Sequence, residues 1–501
     1  MKTKNSTKVL LMLAGTLFAA GTMQAQDQTM TPPMPTAKVL DDNAISGITD
    51  GMGSTQGKGG LWGYAFGDYA LIGKGDSAGR GTKQQYKGLG AANQTLNQNA
   101  FEIRRAYLGY DYNISKKFSG TALLAYEGDQ DVNDNRTVFL KYAYFKWKGI
   151  FKGSDLKIGQ QATNSFADAY NTEPLLDYRA VEKTIMDMHG VDGSSDMGIT
   201  LAGKIVTFKN PDSTKSNAFI GYSAMVGDNS GNNPVAGFTN APATTLSGST
   251  ITSTSKSTST GGVTTTTTTT TTLTLNPFNS TTDVAKKFRV HLYGNLLNGM
   301  LTVGVYGDYI NYGDFYYNGT SKAYQHAVMT EKAYAAFNHK WFGIGVEWFS
   351  QSYTNGEVET TFVPAPGKNT VDTTTATQTG LSIFAHGTII PNVLNIFARY
   401  DMYTADNNFS YTYNAASNLT SNGLANHPAE TFTEAFSNTS ANSPYKETFI
   451  VAGLDWSPKI GEKKVHIMPN IWYYAIKNAY GSDQLASSNY MLYRMTFLYS
   501  F

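Results

Sequence analysis

Apolar and polar residues alternate with a period of two along most of the chain from residue 61 onward. The last segment shows it most clearly: Met491, Tyr493, Met495, Phe497, Tyr499 and Phe501 fall on one side, Arg494, Thr496 and Ser500 on the other. Successive side chains of a strand point to opposite faces, so this pattern predicts a strand between two different environments. Sixteen such segments are predicted, near 61–72, 101–112, 118–127, 138–148, 155–162, 195–208, 217–228, 286–296, 300–312, 327–337, 341–353, 378–390, 393–404, 445–457, 464–477 and 488–501. Their connections alternate in length. Short ones lie at 113–117, 149–154, 297–299, 338–340 and 458–463, and long ones at 73–100, 163–194, 229–285, 354–377 and 405–444. Membrane barrels sort their connections in this way, with short periplasmic turns and long external loops. The expected fold is all-β: a transmembrane, antiparallel, up-and-down β-barrel of about sixteen strands, with both ends of the chain on the periplasmic side.

Alternation also assigns faces. In the second strand Ala106, Leu108 and Tyr110 are expected to meet lipid, and Arg105, Tyr107 and Asp111 the lumen. The eighth puts Phe288, Val290 and Leu292 out with Arg289 and His291 in. The eleventh puts Phe342, Ile344, Val346 and Trp348 out with Glu347 in, and the thirteenth Leu394, Ile396 and Ala398 out with Arg399 and Asp401 in. A charged side chain on the lipid face costs roughly 2–4 kcal/mol for Arg or Lys at mid-bilayer, which directs the charges inward. The expected pore-lining set is Arg105, Glu127, Lys204, Arg289, His291, Asp308, Glu347, Arg399, Asp401 and Arg494, with both signs represented. Trp62, Trp147, Trp341 and Trp456 fall at periplasmic strand ends, where indole rings favour the membrane interface.

Composition agrees with a barrel wall. Tyr 32, Phe 26 and Gly 49 are high among 501 residues, and charged residues make up only 15%. The N-terminus reads as a signal peptide over 1–25: Lys2, Lys4 and Lys8, an apolar run from Val9 to Ala20, and a small residue at Ala25. Residues 26–60 contain Pro32, Pro33 and Pro35 and read as a flexible periplasmic segment, with the barrel over 61–501. Without the three leader lysines, 36 basic residues face 38 acidic ones, so no net field draws nucleic acid or anions. Cysteine is absent, which excludes disulfides and thiolate chemistry.

Two long connections stand apart. Residues 163–194 mix charge with Leu175, Leu176 and Ile185, which a solvated loop does not need. They are expected to fold against the inner wall as a constriction carrying Glu173, Asp177, Arg179, Glu182 and Lys183. Residues 229–285 hold the run Thr264 to Thr272, expected to be a disordered external loop. Among the seven histidines no H-E-x-x-H pattern occurs, and no G-x-S-x-G motif exists, so no enzyme is expected. Asp129 to Asn135 resembles the start of a calcium loop, but Asp134 replaces its glycine and Leu140 its final acid. No metal and no cofactor are expected.

Several segments together resemble the phosphate-selective porin O/P family of outer-membrane porins. Phe101-Glu-Ile-Arg-Arg-Ala-Tyr-Leu-Gly109 is similar to that family's early strand with paired arginines. Leu156-Lys-Ile-Gly-Gln160 is similar to its L-x-x-G-Q strand, Asp196-Met-Gly198 to its acidic entry after the third external loop, and Arg399-Tyr-Asp401 to a late strand. Tyr499 and Phe501 are similar to the terminal signal read by the barrel-assembly machinery. The resemblance implies a sixteen-stranded barrel in the bacterial outer membrane, sometimes a homotrimer, contacting lipid and lipopolysaccharide. It also implies passive passage of small hydrophilic solutes, in some members with anion or phosphate preference. Such a preference needs a basic constriction, whereas 163–194 is more acidic than basic. A structural or adhesive barrel without an open pore is the alternative of another class.

Overall fold

The computed structural model describes residues 57, 59–74, 98–128, 137–165, 183–208, 218–229, 249–256, 266–273, 275–277, 285–297, 300–317, 324–362, 370–405, 407, 429–434, 445–458, 465–478 and 488–500. The expected signal peptide, most of the 26–60 segment, the acidic run 129–135 and Phe501 lie outside them. Among the described residues sixteen strands follow one another around a closed barrel: β1 (Gly59–Lys74), β2 (Gln98–Asn113), β3 (Phe118–Glu127), β4 (Val138–Phe151), β5 (Ser154–Ala162), β6 (Ser195–Phe208), β7 (Ala218–Gly227), β8 (Lys287–Leu296), β9 (Leu301–Tyr317), β10 (Tyr324–His339), β11 (Phe342–Phe362), β12 (Thr370–Ile390), β13 (Leu394–Thr404), β14 (Tyr445–Trp456), β15 (Val465–Asn478) and β16 (Ser488–Ser500). Each pairs antiparallel with its neighbours in sequence, and β16 closes on β1 through Phe66↔Leu498 and Asp68↔Thr496. Closure leaves no free edge, which satisfies the backbone without water.

The two faces of the wall differ as alternation requires. Phe288, Val290 and Leu292 stand 44–54% exposed on the outside, while Arg289 and His291 between them are 1% exposed. Phe342, Ile344, Val346 and Trp348 are likewise exposed around buried Glu347 and Phe349. On β16, Tyr493, Met495, Phe497 and Tyr499 point out while Arg494 and Thr496 are buried. A membrane strand needs about 9–11 residues, so β11 and β12, 21 residues each, run well past any apolar band. Val290→Arg is expected to destabilise the barrel by roughly 2–4 kcal/mol. Urea unfolding of the refolded protein measures it; an unchanged midpoint would place that face outside the lipid.

Where the structure departs from strict periodicity, local chemistry explains it. The register between β1 and β2 shifts at Phe66/Gly67, where Phe66 faces Arg105 and Gly67 faces Ile103. The extra residue of this bulge is Arg104, so Arg104 and Arg105 are both buried instead of one facing lipid. The connection expected over 354–377 is largely strand, because Val358, Thr360, Thr361, Phe362, Thr370, Val371, Thr373, Thr374 and Thr375 are β-branched or aromatic. Residues 429–434, within an expected loop, pair with Glu357–Phe362 and cover the edge of this extension. The threonine tract is not disordered over Thr266–Leu273, which pairs antiparallel with Ser249–Lys256. Threonine buries little but favours extended backbone. Of the four rim tryptophans, Trp147, Trp341 and Trp456 are exposed outside; Trp62 instead donates to Asp111 Oδ2 at 2.8 Å and packs with the barrel's interior cluster.

Candidate functional site: the barrel lumen and its crossing segment

In the connection between β5 and β6, residues 183–194 run inside the barrel. Its local sequence builds a single helical turn, α1 (Ile185–Met188). Thr184 caps it, its hydroxyl accepting from Asp187 N, and Gly190 at φ +63 ends it in the left-handed region open to glycine. The turn buries Ile185 and Met186 completely. A side chain added at Gly380 of β12 would strike Ile185 and Phe349.

Contacts from this segment reach far around the wall. Arg289 of β8 grips Asp192 with two parallel bonds, Nε to Oδ2 at 2.9 Å and Nη2 to Oδ1 at 3.0 Å, and its Nη1 donates to Asp196 Oδ2 at 2.9 Å. Lys287 Nζ lies 3.0 Å from Asp192 and 3.2 Å from Asp308. Tyr306 of β9 donates to Asp308 at 2.7 Å. Gln351 of β11 donates to Val191 O at 2.9 Å. On β13, Arg399 donates to Lys183 O and contacts Met188 Sδ at 3.3 Å, while its Nε holds Asp401 at 2.8 Å. His189 stacks on Tyr403 and lies 3.7 Å from Glu447 of β14. On the far side Asp187 lies within electrostatic reach of Arg105, and Lys183 of Glu127. Ile185 and Met186 share one apolar cluster with Tyr64, Phe66, Tyr107 and Leu123 of β1–β3. The segment therefore crosses the bore from β8–β14 to β1–β3.

Burial and the neighbouring Arg399 hold His189 down to about 3, so it is neutral at pH 7. Lys287 and Arg289 together keep Asp192 well below the usual carboxylate range despite its burial. The 163–165 end of the same connection is tied too: Asn164 donates to Ser223 O at 3.1 Å, and Lys332 to Ser165 O.

The expected lumenal residues fall into separate clusters. Arg105 and Glu127 belong with Lys141, which pairs with Glu127 and donates to Tyr107 at 2.7 Å. Arg289 and Asp308 share the Asp192 cluster, and Arg399 and Asp401 pair with each other. Arg494 stacks 3.2 Å over the Trp472 ring and donates to Asn470 Oδ1 at 3.2 Å. Glu347 lies 4.0 Å from Lys332. His291 and Tyr334 share a hydrogen bond of 3.1 Å. Lys204 is half-buried over Phe219. Tyr499 is on the outer face. Of the expected constriction charges Lys183 is described, 3.8 Å from Asp187; Glu173, Asp177, Arg179 and Glu182 lie outside the described residues.

Alternation alone misses Asp192, because it sits in an irregular segment and its partners come about a hundred residues later. The available signal is Asp192 and Asp196, four apart at a strand entrance, behind the apolar Ile185, Met186 and Val191. Arg104 and Lys141 are missed because they sit at register shifts, and Lys287 because it opens β8; Asp68 lies within β1, where its alternation with Phe66 and Ala70 is the available signal. Two motif glycines meet directly: Gly159 faces Gly198 across β5 and β6. Gly159 has φ +125, and a Cβ there would come within 2.4 Å of Ala143 O.

No protein-family model and no curated protein matches the chain. Among solved structures it is similar to the outer membrane channel DcaP of Acinetobacter baumannii, at 12% identity over 89% of this chain and 98% of that one, TM-score 0.48. It is also similar to an anion-selective porin from Comamonas acidovorans, at 8% identity over 89% and 100%, TM-score 0.47. A third is OprB of Pseudomonas putida, at 11% identity over 88% and 94%, TM-score 0.47.

Proposed function

We propose that the protein is an outer-membrane porin through which small hydrophilic solutes and ions diffuse passively. The observation that carries this reading is the wall itself: sixteen strands closed on one another, apolar outside and charged inside. A barrel of this strand number is wide enough for an aqueous channel, and the apolar outer band suits a bilayer. Among the described residues the buried Lys and Arg side chains number nine, and the buried Asp and Glu side chains nine. That balance favours a weakly selective passage over phosphate or anion selection. Seating in lipid and lipopolysaccharide, insertion by the barrel-assembly machinery and a homotrimeric assembly belong to the same proposal. Proteoliposome swelling with sugars of graded size tests it. Uptake falling steadily with solute size supports a diffusion channel, and no uptake of even the smallest sugar counts against it.

One observation favours a second reading, a structural barrel without an open pore. The 183–194 segment packs against inward side chains of β8, β11, β13 and β14, and the neighbouring apolar cluster is buried. Swelling distinguishes the two.

A further inference from the structure

We infer that Asp192 is the positioning residue that holds the 183–194 segment across the bore, and so sets the free cross-section of the channel. The inference rests on the channel reading above.

The segment has three kinds of anchor. At the β13–β14 end Arg399 reaches a backbone carbonyl and a sulfur, and neutral His189 stacks on a ring. In the middle Ile185 and Met186 are held by apolar contact, which has no direction and tolerates sliding. At the β8 end a single carboxylate takes a bidentate guanidinium and an ammonium, all at 1–4% exposure. Charged groups also meet at the far end, Asp187 near Arg105 and Lys183 near Glu127, but at Asp192 a guanidinium fork and an ammonium converge on one carboxylate. Bidentate geometry fixes angle as well as distance, and buried pairs are little weakened by salt.

The arrangement is also one-sided. Arg289 and Lys287 have second acidic partners on the wall or at the β6 entrance, Asp196 and Asp308. Losing Asp192 therefore leaves both cations compensated and the wall intact, while the segment loses its charged tie to β8. Asp196, by contrast, opens β6 and accepts from Asn229 N, so it belongs to the wall. The local +2/−3 cluster of Lys287, Arg289, Asp192, Asp196 and Asp308 becomes balanced when Asp192 is neutralised.

Because the chain has no cysteine, the segment's position can be read without reference to conduction. Met186→Cys places a thiol on the fully buried face of α1. Its modification by a hydrophilic maleimide is followed in the refolded full-length protein, with Asp192 intact and as Asp192→Asn. Single-channel conductance is recorded on the same pair. Loss of one partner of a buried pair is expected to speed labelling by about tenfold or more, with Asp192→Asn conducting about twice as much or more. Asp192→Glu is expected to keep slow labelling. Folding is checked by heat-modifiable migration. If Asp192→Asn does not fold, Arg289→Lys, which keeps the charge and loses the fork, is expected to give the same change at smaller size.

Unchanged labelling in a folded variant overturns the assignment. Faster labelling with unchanged conductance of a conducting barrel overturns the claim that the segment sets the bore. Faster labelling when neither protein conducts leaves Asp192 as the anchor and removes the channel reading instead.

Discussion

Replacing residues 184–191 by a flexible glycine–serine linker is expected to raise single-channel conductance several-fold, the largest effect that any change in the lumen should produce. Those residues carry α1, the apolar plug of Ile185 and Met186, and the Val191 carbonyl that accepts from Gln351. Ile185 and Met186 share their apolar cluster with residues of β1–β3 and of β11 and β13. Conductance of a water-filled bore follows its narrowest cross-section, and a sixteen-stranded barrel emptied of its crossing segment has room for an aqueous channel. Asp192 is kept, so Arg289 and Lys287 retain their partner and the wall is not asked to bury new charge. Equal conductance of the excised and intact proteins would mean that current passes elsewhere, and the segment would then be a brace. Heat-modifiable migration of the excised protein checks that the barrel still closes.

The second large effect concerns the seam. Asp68 on β1 is fully buried. It pairs with Arg104 of β2, accepts from Thr496 of β16, and lies 3.7 Å from Arg494 Nη1. One carboxylate thus ties the first, second and last strands where the barrel closes. Asp68→Ala removes the carboxylate that both guanidiniums face. Breaking a buried pair from one side costs about 3–5 kcal/mol, and Asp68→Asn should cost less, since the amide oxygen still accepts. Urea unfolding in detergent or lipid measures both. A loss of under about 1 kcal/mol for Asp68→Ala would mean that water reaches the seam and screens the cluster.

How far these features could be read from residues alone depends on periodicity. Phe288, Val290 and Leu292 around Arg289 announce their faces, because lipid tolerates few charges and each charge marks the inside. The same logic fails at Arg104 and Arg105, where two adjacent charges force a bulge that alternation cannot express. It also fails at 354–377, where glycine and asparagine suggest a loop but threonine and valine carry the strands onward. Trp62 has the composition of an interface residue, yet Asp111 draws its N–H inside. That Ile185 needs burial is legible in sequence; that Asp192 supplies the hold is not, since the contact joins an irregular segment to a strand about a hundred residues away. Motif glycines are legible as motifs, but their reason, the direct opposition of Gly159 and Gly198, appears only in the pairing of β5 and β6.

The most direct test of the channel reading is current through single refolded barrels in a planar bilayer under a potassium chloride gradient. The balanced inner charges predict steady ohmic steps with a reversal potential near zero, indicating weak preference between the two ions. Folded, heat-modifiable protein that inserts but passes no current, with or without residues 184–191, would contradict the account and leave a structural barrel.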